Sequence, residues 1–177
     1  MLTTESYNEF ITNGFLRIPS FIPQTLLLKL HALFDELMDT SDSVGKVVHE
    51  NKGKKYVTSI DEICKKGNLA ALELLGYPPV LKLAEQICGA DFFMIQEFAV
   101  IKNQGDENPV LWHLDMLHER KGQCFTMGIY LDDVEEGDGA LKIVPGSHTS
   151  GKTICELVKE PYVEVPAKAS DVLLHDM

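Results

Sequence analysis

The chain has 177 residues, with 16 lysines and arginines against 27 aspartates and glutamates, which gives a formal net charge of -11 at pH 7. So acidic a chain is not expected to bind nucleic acid or an anionic membrane surface through its overall charge. Hydrophobic residues make up 45% and charged residues 24% of the sequence, an ordinary globular composition that excludes an intrinsically disordered chain.

The first half of the chain shows helical periodicity. Ser6-x-x-Glu9 resembles a capping box and Gly14 stands where a helix would end, so we predict a helix over 4–13, followed by a strand over 15–18. After Pro23, apolar residues at spacings of three and four predict a longer amphipathic helix, with Leu26, Leu27, Leu30, Leu33, Phe34 and Leu37 on one face.

Residues 41–66 interrupt this periodicity with polar residues. They include a local basic group, Lys46, Lys52, Lys54, Lys55, Lys65 and Lys66. Two interpretations stay open: a solvated loop, or a lid whose lysines meet an anionic substrate. Helix signals return over 68–75 and from Pro78 to Gly89, and these helices are expected to buttress a sheet.

The second half of the chain reads as short strands separated by turn residues. We predict strands over 92–102, near 110–113, and over 123–131, 140–144, 161–165 and 171–177. A complete jelly roll has about eight strands, so two strands are expected to be missing. The sequence predicts an α+β fold in one domain over 1–177, helical over about 1–90 and β over about 91–177.

Neither the cysteines nor the N-terminus indicates secretion. Cys64, Cys88, Cys124 and Cys155 show no CxxC pair, which favours reduced, structural thiols. The N-terminus lacks the regions of a signal peptide, and no apolar run reaches the roughly 18 residues that a membrane span needs. A soluble cytoplasmic protein follows, with neither nucleic acid nor membrane as partner.

One tripeptide carries the residue types of a metal site. In an extended chain, His113 and Asp115 would point to the same side and reach one ion. An imidazole and a carboxylate, completed by a second imidazole, form the facial triad that holds non-haem Fe(II). A lone His-x-Asp is weak evidence because chance supplies it often. Trp112, directly before the pair, is expected to pack in the core beside the site.

The motifs along the chain strengthen this interpretation. Asn13-Gly14-Phe15-Leu16, Trp112-His113-Leu114-Asp115, Leu131-Asp132-Asp133-Val134, the stretch from Gly139 to Pro145-Gly146-Ser147-His148, and Asp171-Val172-Leu173-Leu174-His175 follow in this order. In this the chain resembles the phytanoyl-CoA dioxygenase family, whose members are Fe(II)- and 2-oxoglutarate-dependent oxygenases. The resemblance spans nearly the whole chain.

The resemblance implies a double-stranded β-helix core, a cupin-like jelly roll, with N-terminal helices packed against it. It implies His113 and Asp115 as the first two iron ligands, 2-oxoglutarate and O₂ as cosubstrates, and hydroxylation of a small organic substrate. Because related halogenases replace the carboxylate, the presence of Asp115 favours hydroxylation. On the strand over 92–102 one of two alternating rows faces the interior, and the resemblance implies cosubstrate contacts around Phe98 and Lys102.

The match to the family ends before the position of the third iron ligand. In the family the distal histidine follows the Asp-Val-Leu-Leu-His run, with an arginine beyond it for 2-oxoglutarate, whereas this sequence stops at Met177. We therefore expect the chain to be truncated at its C-terminus and, by itself, a poor catalyst. His175 is a candidate third ligand or a strand histidine that lines the barrel.

Two other histidines and two other functions stay open. His118 is interpreted as a solvated loop residue or a substrate contact, and His148 as a cover of the site entrance or a turn-stabilising residue. The alternative functions are a catalytically inactive cupin-like β-roll that binds a small molecule or metal, and a purely structural interaction domain. The oligomeric state cannot be inferred from the sequence.

Overall fold

The structure is a computed structural model that describes residues 1–39, 45–115 and 122–176. Within these ranges the helices are α1 Thr4–Asn13, α2 Gln24–Leu37, α3 Leu69–Leu75, α4 Pro78–Cys88 and α5 Ile154–Leu157. The strands are β1 Phe15–Ile18, β2 Lys46–Asn51, β3 Lys54–Asp61, β4 Phe98–Val100, β5 Phe125–Ile129, β6 Leu141–Ile143, β7 Val163–Val165 and β8 Val172–Asp176. None of the described helices is long and apolar enough to cross a membrane.

The predicted helix over 4–13 and strand over 15–18 are confirmed. The predicted capping residues are wrong, because the N-cap is Thr3, whose side-chain oxygen accepts the hydrogen bond from the Ser6 amide at 3.1 Å. Gly14 ends the helix in the left-handed region, at φ 79°. The chain can therefore turn directly from α1 into β1.

The main core lies between the helices and a three-stranded antiparallel sheet of order β1-β8-β5. Its buried residues come from α1, β1, α2, α4 and β8: Phe10, Leu16, Leu26, Leu27, Leu30, Leu83, Ile87, Val172 and Leu174, together with Ile22. Full burial of one such side chain contributes about 1.5–3 kcal/mol. The helices therefore buttress the sheet, as predicted.

The prediction of an irregular loop is wrong for residues 46–61, which form a β2–β3 hairpin that pairs with β4. Its turn residues Lys52 and Gly53 both have positive φ, at 51° and 77°, as two-residue hairpin turns require. On β3, Val57 and Ile60 are buried in a second core, while the lysines lie at exposed or half-exposed positions. The lysines and the other polar residues interrupt the apolar pattern, so the two strands are not evident from the sequence.

The basic group is partly neutralised by nearby acidic residues. Lys52 forms an ion pair with Glu107 at 2.5 Å, and Lys65 with Glu62. Residues 41–44, at the start of the predicted lid, lie outside the described residues. The lid interpretation stays a prediction.

The strands of the second half are shorter than predicted, and one predicted strand is absent. Residues 92–97 and 109–114 have no regular secondary structure, so the strand near 110–113 is wrong. The structure also has a helix that we did not predict, α5, whose capping box is formed by Thr153 and Glu156. Thr-x-x-Glu was the signal that could have identified it.

The turn that carries His148 docks on the end of α1. His148 Nε2–H donates to the Ile11 carbonyl at 3.0 Å, and the Gly146 amide donates to the Asn13 carbonyl at 2.8 Å. The His148 ring lies so close to Gly14 that a Cβ at Gly14 would stand 2.4 Å from Nδ1. These contacts support the turn-stabilising interpretation of His148.

This contact predicts the effect of replacing Gly14. Gly14→Ala should reduce the free energy of unfolding by about 2–4 kcal/mol, because it combines the left-handed backbone penalty with a clash against the imidazole. Gly67→Ala is the matched control, since Gly67 ends a short 3-10 helix, Cys64–Lys66, at φ 73° but has no atom within 4 Å of the added Cβ. Urea denaturation should show a cost of about 1 kcal/mol there. Equal losses in the two variants would contradict the clash.

Candidate metal centre

The segment that carries His113 and Asp115 follows a turn that is held by hydrogen bonds to the Asp106 side chain. The buried Asp106 carboxylate accepts hydrogen bonds from the Asn103 and Asn108 amides, both at 3.0 Å. These main-chain N–H groups are the main cause of its lowered pKa. The turn fixes where the chain enters residues 109–115.

The structure brings His113 and Asp115 together, as the two-residue spacing predicted. His113 Nε2 lies 3.2 Å from Asp115 Oδ1. The other ring nitrogen, Nδ1, lies 2.7 Å from the Leu111 carbonyl oxygen, which can only accept, so Nδ1 carries the proton. In the neutral ring, the Nε2 lone pair then faces a carboxylate oxygen. A cation between these two electron-rich atoms would satisfy both of them.

His175 approaches Asp115 from a different element. It lies on β8, paired with Phe15 of β1 on one side and with Thr126 of β5 on the other. Its Nδ1 is 3.5 Å from Asp115 Oδ2, and its side chain is 20% exposed. Burial lowers the pKa of His175, although the Asp115 charge opposes this shift, which favours the neutral imidazole at neutral pH.

The donor chemistry of the site fits a divalent transition metal in part. An imidazole nitrogen and a carboxylate oxygen are the ligand types of non-haem Fe(II), and Nδ1–H on a main-chain carbonyl is the usual support of a ligating histidine. Across residues 1–39, 45–115 and 122–176, no three His, Cys, Asp or Glu side chains have the geometry of a preformed metal site. The structure thus presents a two-residue half-site, His113 and Asp115, with His175 behind the carboxylate.

Of the two alternating rows of side chains on the β4 segment, one faces the protein interior and the other is exposed. Ala99 and Ile101 pack against the second core, whereas Phe98 and Val100, on the opposite face, are 49% and 54% exposed. Phe98 therefore does not pack in the core. Lys102, in the same row, donates a hydrogen bond from Nζ to the Gly139 carbonyl. Burial lowers the pKa of Lys102, and the nearby Lys142 charge lowers it further.

Trp112 does not pack in the core, contrary to prediction. It is 40% exposed, and its ring meets that of Tyr162 edge to face, with centroids 5.6 Å apart. Lys142 Nζ lies 5.2 Å from the Tyr162 ring centroid and 3.0 Å from Glu164. Sequence analysis missed Tyr162, because no motif marks it and a distant segment brings it to Trp112. His118 lies outside the described residues.

Solved structures share this arrangement of helices and sheets. The non-haem α-ketoglutarate-dependent carbocyclase SnoK from nogalamycin biosynthesis has a TM-score of 0.80 at 21% identity, over 99% of this chain and 74% of SnoK. EctD from S. alaskensis, solved with bound Fe, has a TM-score of 0.78 at 18% identity, over 99% of this chain and 68% of EctD. The predicted double-stranded β-helix is therefore confirmed.

Residues 10–177 match the family model of phytanoyl-CoA dioxygenase, and the chain belongs to this family. Among curated proteins, L-proline trans-4-hydroxylase of Streptomyces griseoviridis is 32% identical over 98 residues. That match covers 51% of this chain and 34% of the hydroxylase, so the chain matches about a third of its relative's length. The expectation of further strands after residue 177 stays a prediction.

Proposed function

We propose that this chain carries part of the active site of a non-haem Fe(II)- and 2-oxoglutarate-dependent dioxygenase. The reaction is hydroxylation of a small organic substrate, coupled to conversion of 2-oxoglutarate to succinate and CO₂. The observation that carries the proposal is the His113–Asp115 pair. The hydrogen bond from His113 Nδ1–H to the Leu111 carbonyl orients the ring so that Nε2 faces Asp115 Oδ1 at 3.2 Å. Family membership supports the reaction class.

His113 and Asp115 would hold the iron, and His175 lies next to Asp115 on the side away from His113. The iron would supply the activation of O₂ and the oxidation of the substrate. The protein's own contribution is to orient the two ligands: Leu111 fixes the His113 ring, and the Asp106 turn sets the start of the segment. Asp115 supports hydroxylation as the outcome, because a carboxylate occupies the position that halogenases leave to chloride.

Lys102 is the proposed partner of a 2-oxoglutarate carboxylate. Arg17, the arginine within the described residues, is engaged by Asp171 and by the Pro166 carbonyl, while Arg120 lies outside them. Among the described side chains, no carboxylate lies within 4.0 Å of Lys102 Nζ, which bonds a main-chain carbonyl instead. Phe98, exposed in the same row, would line the cosubstrate's hydrocarbon chain.

This assignment predicts the effect of Lys102→Met. A lost charged hydrogen bond is worth about 1.5–3 kcal/mol, so the affinity for 2-oxoglutarate should fall by about 10- to 100-fold. The measurement is an anaerobic titration of the Fe(II)-loaded protein with 2-oxoglutarate, followed by the weak visible charge-transfer band. Lys142→Met is the matched control, because Lys142 is paired with Glu164, and it should change the affinity by less than about threefold. Unchanged affinity in Lys102→Met would remove Lys102 from the cosubstrate site.

The second candidate function is a cupin-like β-roll that binds a metal or small molecule without catalysis. The observation that favours it is that no three-residue metal group exists among the described side chains. Succinate formation from 2-oxoglutarate under air separates the two functions. Iron-dependent succinate supports the oxygenase, whereas metal binding without succinate supports the non-catalytic roll.

A further inference from the structure

The Asp115 carboxylate contacts two imidazoles through two different oxygens. Oδ1 is the atom that faces His113 Nε2 at 3.2 Å, and Oδ2 is the atom that lies 3.5 Å from His175 Nδ1. Neighbouring ligands of one octahedral ion, with bonds of about 2.1 Å, lie about 3 Å apart. The pair formed by Nε2 and Oδ1 meets this spacing. The second imidazole is nearest to the carboxylate oxygen that does not face the first.

The position of His175 in the sheet also distinguishes it from His113. β8 lies between β1 and β5, so the main chain of His175 is held by ladders on both sides. Its side chain is 20% exposed, whereas that of His113 is 56% exposed. The more exposed His113 is accessible to an incoming ion, while His175 stands behind the carboxylate. Consistently, His113, Asp115 and His175 do not form a three-ligand metal group.

We propose that His175 is a positioning residue for the metal site and not a ligand: in the loaded site its Nδ1–H donates to Asp115 Oδ2 and turns Oδ1 toward the ion and His113. The inference rests on the proposed function, since it needs an ion between His113 and Asp115. Hydrogen bonds to ligating carboxylates are a general feature of metal centres, and their loss typically weakens metal affinity about 10- to 100-fold.

Two substitutions of His175 separate a hydrogen-bond donor from a ligand. His175→Asn keeps an N–H donor near the position of Nδ1, while His175→Leu keeps the approximate volume and has no donor. Co(II) affinity can be followed through quenching of Trp112, the single tryptophan of the chain, which is adjacent to His113. We expect His175→Asn to bind Co(II) within about threefold of the wild type and His175→Leu to bind about 10- to 100-fold more weakly.

The matched control is His31→Leu, on α2, which should leave Co(II) affinity unchanged. Equal, large losses in both His175 variants would identify His175 as a ligand and overturn the inference. Unchanged affinity in His175→Leu would also overturn it, because the donor would then have no effect on the ion.

A spectroscopic measurement tests the inference in the wild type first and then in two variants. In the vanadyl-loaded chain of 177 residues, electron spin echo modulation should show one coordinated imidazole. This signal should disappear in His113→Ala and persist in His175→Asn. Two coordinated imidazoles in the wild type would overturn this inference alone. Failure of the wild type to bind any divalent ion would overturn the proposed function together with it.

Discussion

Replacing His113 by alanine is expected to weaken divalent-metal binding by at least about 100-fold, because a directly bonded ligand contributes more than the outer partners, whose loss costs about 10- to 100-fold. The same substitution should change the free energy of unfolding by less than about 0.5 kcal/mol, since the side chain is 56% exposed. Isothermal titration with Co(II) and urea denaturation measure the two quantities. A large metal effect with unchanged stability is the signature of a ligand.

His49→Ala is the control for nonspecific loss of an imidazole. His49 lies on β2, in the hairpin that pairs with β4, and belongs to no candidate metal group. It should leave Co(II) affinity unchanged. If His113→Ala and His49→Ala bound Co(II) alike, the site assignment would be wrong.

Replacing Asp171 by alanine is expected to lower the free energy of unfolding by about 3–5 kcal/mol, because it removes a buried charged acceptor from two main-chain amides and from Arg17, and each hydrogen bond to a charged group is worth about 1.5–3 kcal/mol. Asp171 is 1% exposed and lies immediately before β8. Its carboxylate accepts from the Ser20 and Lys168 amides, both at 2.9 Å, and forms an ion pair with Arg17 Nε at 3.0 Å. The substitution removes the link between the segment of Arg17 and Ser20 and the turn from Lys168 to Asp171, and urea denaturation measures the loss directly.

Asp171→Asn provides an intermediate case, since it keeps the volume and one acceptor oxygen but not the charge. Asp132→Ala, at an exposed position, is the surface control and should stay within about 0.5 kcal/mol of the wild type. A loss below about 1 kcal/mol in Asp171→Ala would show that the buried carboxylate does not hold the segments together.

The helices could be predicted because their signals are local. α2 follows from leucines at spacings of three and four, and Gly14 marks the end of α1 through its left-handed conformation. The hairpin could not be predicted as readily, since a solvated strand face carries lysines and only Val57 and Ile60 reveal the buried face. Strand lengths in the second half were overestimated because a strand also needs a pairing partner, which sequence alternation does not supply.

The same difference between local and tertiary contacts applies to the candidate site. His113 and Asp115 lie two residues apart, so their approach follows from local geometry and could be predicted. The contact of His175 with the far oxygen of Asp115 depends on the pairing of β8 between β1 and β5, which is tertiary. The edge contact of Trp112 with Tyr162 is tertiary as well. The contact of His113 with Asp115 could therefore be predicted, whereas the contacts of His175 and Trp112 could not.

The central claim is that His113 and Asp115 share one divalent ion. Its most direct test is a crystal structure of the Co(II)-loaded protein, with anomalous diffraction measured at the cobalt absorption edge. We expect one strong anomalous peak within about 2.0–2.2 Å of both His113 Nε2 and an Asp115 carboxylate oxygen. A peak at other side chains, or no peak between these two atoms, would contradict the claim.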